Sequence, residues 1–196
     1  MSLIAAVLFA AGAAYSESAD PNGRYLEGQL IVASPDMPDP RFAGTVIFMV
    51  RHDAGGALGL VINQPIGIGP LYEFMQRLDI ETENHEEELM LFYGGPVHPD
   101  QGFVVHSPDY RIEDTEIFSD QVAVTRDREV LEDIAAGKGP KKLLVIMGYA
   151  GWAPGQLEGE LVQGDWTVTP LSEQLIFGED HNSKWQQAKD HSGLPL

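Results

Sequence analysis

No cysteine occurs among the 196 residues, which excludes disulfides, thiolate nucleophiles, cysteine-ligated zinc and iron–sulfur clusters at once. A chain without thiol chemistry suits a reducing compartment, and a cytoplasmic location is expected. Positive charge is scarce: 12 lysines and arginines stand against 30 aspartates and glutamates, for a formal net charge of −18. A surface of that sign repels phosphate backbones, so direct contact with DNA or RNA is not expected. Lys138, Lys141 and Lys142 form the one basic cluster, and it reads as a helix end, where cations meet the negative end of the dipole. Long apolar runs are missing too. Residues 3–14 are apolar or small, yet they fall short of the ~20 residues that span a bilayer. No Lys or Arg precedes them as in an export signal. Residues 1–25 therefore read as an N-terminal apolar arm and linker with no membrane role, and residues 26–196 as one domain with a substantial core.

Several catalytic signatures are also absent. No strand is followed by G-x-G-x-x-G, and the lysine in Gly137-Lys138-Gly139-Pro140 lacks Walker spacing. No G-x-S-x-G elbow exists, and Ser34, Ser107 and His106 are not brought together by any motif. His52, Asp53, His98, Asp100 and His106 sit at strand ends or in tight loops, as metal ligands often do, but without H-x-H or H-E-x-x-H spacing. No cofactor is expected from these patterns.

What is present is a strand-rich pattern. Residues 29–33, 45–50, 57–62, 89–93, 102–106 and 143–147 are apolar, β-branched runs. The turn around His52-Asp53-Ala54-Gly55-Gly56 makes 45–62 a hairpin, and residues 121–125 alternate as in a half-buried strand. Residues 34–40 carry three prolines in seven positions, which makes a rigid loop. Leu71, Phe74, Met75 and Leu78 keep helical spacing behind Pro70. Asp127 caps a second helix with Val130, Leu131, Ile134 and Ala135 inward. Pro154 opens a third with Leu157, Leu161 and Val162 on one side, and Ser183 starts a last one around Trp185. The glutamate-rich stretch 81–88 reads as a solvated connector. Hairpins mixed with isolated helices indicate an α+β fold. The unit around which the rest is arranged runs from Leu89 to His106. It leaves a strand at Gly94-Gly95-Pro96, and two glycines and a proline there mark a close backbone approach, to a ligand or to another strand.

Several motifs in order resemble the AlgH/YqgE family of bacterial proteins. They are the stretch from Gln29 through Ser34-Pro35-Asp36-Met37-Pro38-Asp39-Pro40-Arg41-Phe42, then Gly56-Ala57-Leu58-Gly59-Leu60-Val61-Ile62-Asn63. Gly94-Gly95-Pro96-Val97 with Gly102-Phe103-Val104-Val105-His106 follows, and Gly148-Tyr149-Ala150-Gly151-Trp152-Ala153-Pro154-Gly155-Gln156-Leu157-Glu158 with Trp166 completes the set. The resemblance implies a strand-rich flattened pseudo-barrel of mixed or antiparallel sheet with peripheral helices, in a cytosolic bacterial protein. The family carries the label of transcriptional regulator without an attached activity, and no helix-turn-helix is visible here. One departure concerns the turn: Asp-Arg-Gly-Phe is usual, and here Gln101 follows Asp100, so a single amide replaces a cationic fork. Leu58 stands where methionine is common, a volume-conserving change.

Two functional expectations follow. The first is a non-enzymatic regulatory protein that binds another protein through the 35–42 loop and the 94–101 turn. Its candidate residues are Asp39, Arg41, Gly94, Gly95, Pro96 and Asp100, with Trp152 as a possible pocket wall beside Tyr149, Phe103 and Trp166. The second is a small-molecule or metal-dependent enzyme or binder using His52, His106 and nearby carboxylates. A blander expectation stands beside both: the glycines, prolines and tryptophans mostly build the fold.

Overall fold

Two residue periods partition this chain. Alternation at period two makes ten strands, and their apolar residues divide between the two faces of one curled sheet. The computed structural model describes residues 25–192, so the arm expected over residues 1–25 lies, but for Tyr25, outside the described residues. In chain order the strands are β1 (Leu30–Ala33), β2 (Val46–Asp53), β3 (Gly56–Val61), β4 (Pro65–Pro70), β5 (Glu88–Tyr93), β6 (Val97–His106), β7 (Glu116–Ile117), β8 (Ala123–Thr125), β9 (Leu143–Trp152) and β10 (Trp166–Thr169). The helices are α1 (Leu71–Arg77), α2 (Glu129–Ala135), α3 (Gln156–Gln163), α4 (Glu173–Phe177) and α5 (Lys184–His191). Strand order is β10-β1-β2-β3-β9-β6-β8-β7, with β5 added to β9 and β4 to β5. β5 and β9 run parallel and the other pairs are antiparallel. The result is a strand-rich curled half-barrel with a few helices, as the family resemblance implied.

On one face Leu30, Val32, Phe48, Leu60, Phe92, Phe103, Val105 and Ile146 pack together, closed over by Leu175 and Ile176 of α4 and Ala188 of α5. The intervening residues face the other way. Ile31, Ile47, Met49, Val61 and Ala150 are covered by Leu157 of α3. Val104 and Val145 are covered by Leu71 and Met75 of α1 and by Val130 and Leu131 of α2. Burying such side chains contributes roughly 1.5–3 kcal/mol each.

Most expected elements are present, with instructive departures. β4 and β7 were not anticipated, and β9 continues without a break through Gly148 to Trp152. β8 is buried throughout and not half-buried. Val162, expected on the inner side of its helix, is 89% exposed, because Leu157 and Leu161 alone turn α3 onto the sheet. Arg128, and not Asp127, holds the N-cap of α2, without a side-chain cap bond; Asp127 stands one residue earlier, its Oδ1 accepting the Glu129 N–H at 2.9 Å. Ser183 occupies the N-cap of α5 but makes no side-chain cap bond. Its hydroxyl donates to the Asp180 carbonyl and accepts from Gln187 Nε2.

Candidate functional site

The glycines of the 94–101 turn meet a strand. Gly94 N–H donates to the Met147 carbonyl at 2.8 Å, and its own carbonyl accepts the Val61 N–H at 3.0 Å, so one residue ties β3 to β9. A Cβ on Gly94 would lie 2.2 Å from the Gly148 carbonyl oxygen, and one on Gly95 would lie 2.2 Å from the Tyr149 carbonyl carbon. Gly95 also has φ +150° and Gly148 φ +72°, angles that side chains rarely adopt. Three glycines thus let two backbones pass at contact distance, which leaves no room there for a ligand. Beyond them Pro96, His98 and Asp100 are exposed. His98 holds φ +45°, and its ring stacks on Tyr149 with centroids 5.9 Å apart. Gln101 is half-buried, inside a register shift between Val97 and Gly102.

The two candidate histidines are not brought together. His52 pairs with Ala57, which faces Trp152, whereas His106 faces Leu143. Those β9 positions are nine residues apart, about 30 Å along a strand at ~3.3 Å per residue. His106 is buried, and its polar atoms close a relay. Nδ1–H donates to the Ser107 carbonyl at 2.9 Å, so Nε2 accepts from the Thr125 hydroxyl at 2.9 Å. Thr125 then accepts from Thr115, whose oxygen accepts the Ile112 N–H. Burial pulls the His106 pKa below the usual imidazole value, in keeping with a neutral ring. The Ser107 hydroxyl donates to Asp109 and does not point its proton at the ring, so Ser107 and His106 do not form a nucleophile–base pair.

His52 Nδ1 accepts the Leu26 N–H at 3.0 Å, so its proton is on Nε2, 3.5 Å from a Glu158 carboxylate oxygen on α3. The Tyr25 ring stands edge-on to it. Among the described residues no group of three His, Asp or Glu side chains is arranged to hold a metal ion.

Trp152 lies with the 35–42 loop under α3. Its indole N–H and that of Trp166 both donate to Glu160 Oε2 at 2.8 Å, and Gln156 donates to the other oxygen. Phe42 meets Trp166 edge-on at 5.8 Å. Trp152 is therefore buried and hydrogen-bonded. Above Phe42 the Arg41 guanidinium grips Asp39 through Nε and Nη2, at 2.6 Å for the shortest bond. That grip holds the Asp39 carboxyl below its usual range. Both side chains are accessible, and the Nη1 donors of Arg41 are left over by the clip. The Tyr93 hydroxyl lies within electrostatic reach of Arg41, and Tyr93 leads directly into Gly94. Asn63 anchors the loop base, accepting the Val46 N–H and donating to the Gly44 carbonyl. The loop base and Gly94 thus both bond to the end of β3 and the residues just after it, through Asn63 and the Val61 N–H.

Three charged groups escaped sequence reasoning. Lys184 is 1% exposed, its amine donating to the carbonyls of Ile176 and Ile62, and burial lowers its pKa to about 8. Glu27 and Glu116 are pushed up, chiefly by burial, despite Arg51 and Arg126 nearby. A broad cleft of about 880 Å³ lies between Tyr72 and Gln76 of α1, the 80–85 connector and the end of α2. No helix among the described residues is long and apolar enough to cross a membrane.

The comparisons agree with this geometry. Residues 30–196 match the family model described as AlgH-like, DUF179. A UPF0301 protein of Methylococcus capsulatus is 43% identical over 169 residues, covering 86% of this chain and 92% of the relative. A UPF0301 protein of Jannaschia sp. is 43% identical over 171 residues, covering 86% and 89%. Among solved structures, the solution structure of AlgH from Pseudomonas aeruginosa superposes with a TM-score of 0.74 at 36% identity, covering 89% of this chain and 92% of that one. A crystal structure from Corynebacterium diphtheriae, at 20% identity and a TM-score of 0.70, covers 87% and 88% and shares the fold. On the family model and on these identities, the chain belongs to the AlgH-like (UPF0301) family.

Proposed function

We propose that this protein is a cytosolic regulator that acts by binding another protein and carries out no chemistry of its own. The observation that carries the reading is the contrast between its histidines and its loops. His52 and His106 are buried and held apart, whereas accessible polar groups of the family motifs lie on the 35–42 loop and the 94–101 turn. Arg41 is fixed by Asp39 before any partner arrives, which lowers the entropy cost of using it in an interface, and arginine and tyrosine are favoured interface residues. The acidic surface supports an action through protein and not through DNA. The motif glycines beneath this surface serve the fold, so loop and scaffold are separable by mutation.

Replacing Asp39, Arg41 and Asp100 together by alanine is expected to reduce recovery of the wild-type partner set by about tenfold, ~1.4 kcal/mol. Thermal stability is expected to change by no more than about 0.5 kcal/mol, as for exposed substitutions elsewhere. Quantitative affinity capture beside a thermal melt checks both. Recovery of the same partners in the same amounts by both forms would remove the proposal.

A further inference from the structure

We infer that the outer edge of β4 is a docking strand for a short extended segment of another protein, one with aliphatic side chains at alternate positions and basic residues at the end lying beside Pro70. The inference rests on the protein-binding reading above and gives the partner a chemistry. β4 pairs with β5 on one side and with no strand on the other among the described residues. Ile66 and Ile68 are 59% and 61% exposed on it, in the short group of large exposed hydrophobics among the described residues. Edge strands are ordinarily protected by lysine or another charge, yet residues 63–72 contain no charged side chain in a protein of net charge −18.

The edge is open but short. Pro65 and Pro70 lack donors, and the ladder shifts register between Pro65 and Gly67, so continuous sheet growth stops at both ends. Between them Gly67 and Gly69 have no atom within 4 Å of where a Cβ would be. Backbone hydrogen bonds from an added strand can form there, with room for its side chains, as in other β-strand addition.

Charge chooses the occupant. Pro70 stands opposite Glu88, Leu71 N–H donates to the Glu87 carbonyl, and Glu73 lies in the first turn of α1. Glu73, Glu86, Glu87 and Glu88 are all exposed. Lysines or arginines at that end of a partner segment would be attracted and steered, whereas a second copy aligned in parallel would bring the same carboxylates against them and be repelled. The other end of β4 leads toward the proposed loop surface, since Pro65 faces Phe92 and the Gln64 carbonyl accepts the Tyr93 N–H.

The test uses the full-length protein labelled with nitrogen-15. The probe is a synthetic peptide of alternating valine and threonine ending in two lysines, and its control ends in two glutamates. The lysine peptide is expected to shift the amide signals of residues 66–69 and to bind at least about tenfold more tightly than the control. Ile66→Lys with Ile68→Lys should abolish the shifts without lowering the melting temperature. Shifts confined to other elements, equal binding of both peptides, or no response at millimolar peptide would overturn the inference. So would sedimentation showing a dimer that the double variant dissolves, since the occupant would then be a second copy. If the loop variant loses its captured partners while the edge variant keeps them, the edge fails and the protein-binding reading survives. If the edge variant loses them and the loop variant does not, the loop surface fails and the edge stands.

Discussion

Gly94→Ala is expected to cost at least about 4 kcal/mol, near the limit for single substitutions and enough to unfold most of the protein at 37 °C. The added methyl would start 2.2 Å from the Gly148 carbonyl oxygen and 2.5 Å from Ile146 Cγ2. Neither neighbour has freedom to retreat. Gly148 is held in β9, and Gly94 itself bonds to Met147 on one side and Val61 on the other. Relieving the clash would break the junction of β3, β5 and β9. Gly95→Ala should behave similarly, because it adds unfavourable φ to the same overlap. Gly159→Ala is the control. It lies inside α3 with nothing within 4 Å of its Cβ position, and there the same substitution should stabilise by about 0.5–1 kcal/mol through helix propensity. Urea denaturation of the three variants checks the contrast. Equal, mild effects at Gly94 and Gly159 would mean that the junction is not the tight crossing described.

The second large effect concerns Lys184. Its amine is buried among apolar side chains and donates to the backbone carbonyls of Ile176 and Ile62, and its pKa falls to about 8. In the unfolded chain a lysine titrates near ~10.4. Below pH 8 both states hold the proton and the full cost of burying charge is present. Between about 8 and 10.4 the folded protein has released the proton and the unfolded chain has not, so stability rises with pH across that window. The gain approaches about 3 kcal/mol, at ~1.4 kcal/mol per pKa unit. Tyr110, whose pKa is raised by burial and by Asp133, opposes this only above pH ~10, where an unfolded tyrosine ionises. Lys184→Met removes the titration. The expected result is a wild-type stability that climbs from pH 7 to 10 relative to the variant, in guanidinium denaturation at each pH. Parallel curves for the two proteins would show that Lys184 is not buried as a charge at pH 7.

Legibility from sequence followed how locally each feature is encoded. The apolar runs of β2, β3, β5 and β9 announce themselves, because a buried strand needs continuous or alternating apolar residues whatever it pairs with. β4 does not. Pro65-Ile66-Gly67-Ile68-Gly69-Pro70 carries two prolines and two glycines, a breaker pattern by local propensity, and only the ladder to β5 makes it a strand. The diglycine signalled a close approach, but the approaching backbone is Gly148 to Ala150, more than fifty residues away in sequence. Nothing local distinguishes that from a ligand.

The same limit governs the histidines. Both fall at strand ends in sequence, and their separation emerges only from the registers of β2, β3, β6 and β9. Lys184 reads as a surface lysine beside Ser183 and Trp185; what buries it is the seating of α4 and α5 over the open side of the sheet. Asp39 and Arg41 could be paired in advance. Two residues apart in a proline-fixed loop, they lie within reach of one another, and the structure joins them in a bidentate clip. Glu160 had a legible signal too, since two buried indole N–H groups require an acceptor, although the sequence alone does not say which one.

The central claim is that the exposed family loops, and not a catalytic centre, are what this protein presents to the cell. It is tested most directly by site-specific photocrosslinking in living cells, with a photoreactive amino acid at Pro96 in one strain and at Val162 in another. Both positions are exposed, but Val162 belongs to neither loop. The account predicts a discrete crosslinked protein from position 96 that is absent from position 162 and is lost when Arg41 is replaced by alanine. The same products from both positions, or none from position 96, would contradict it.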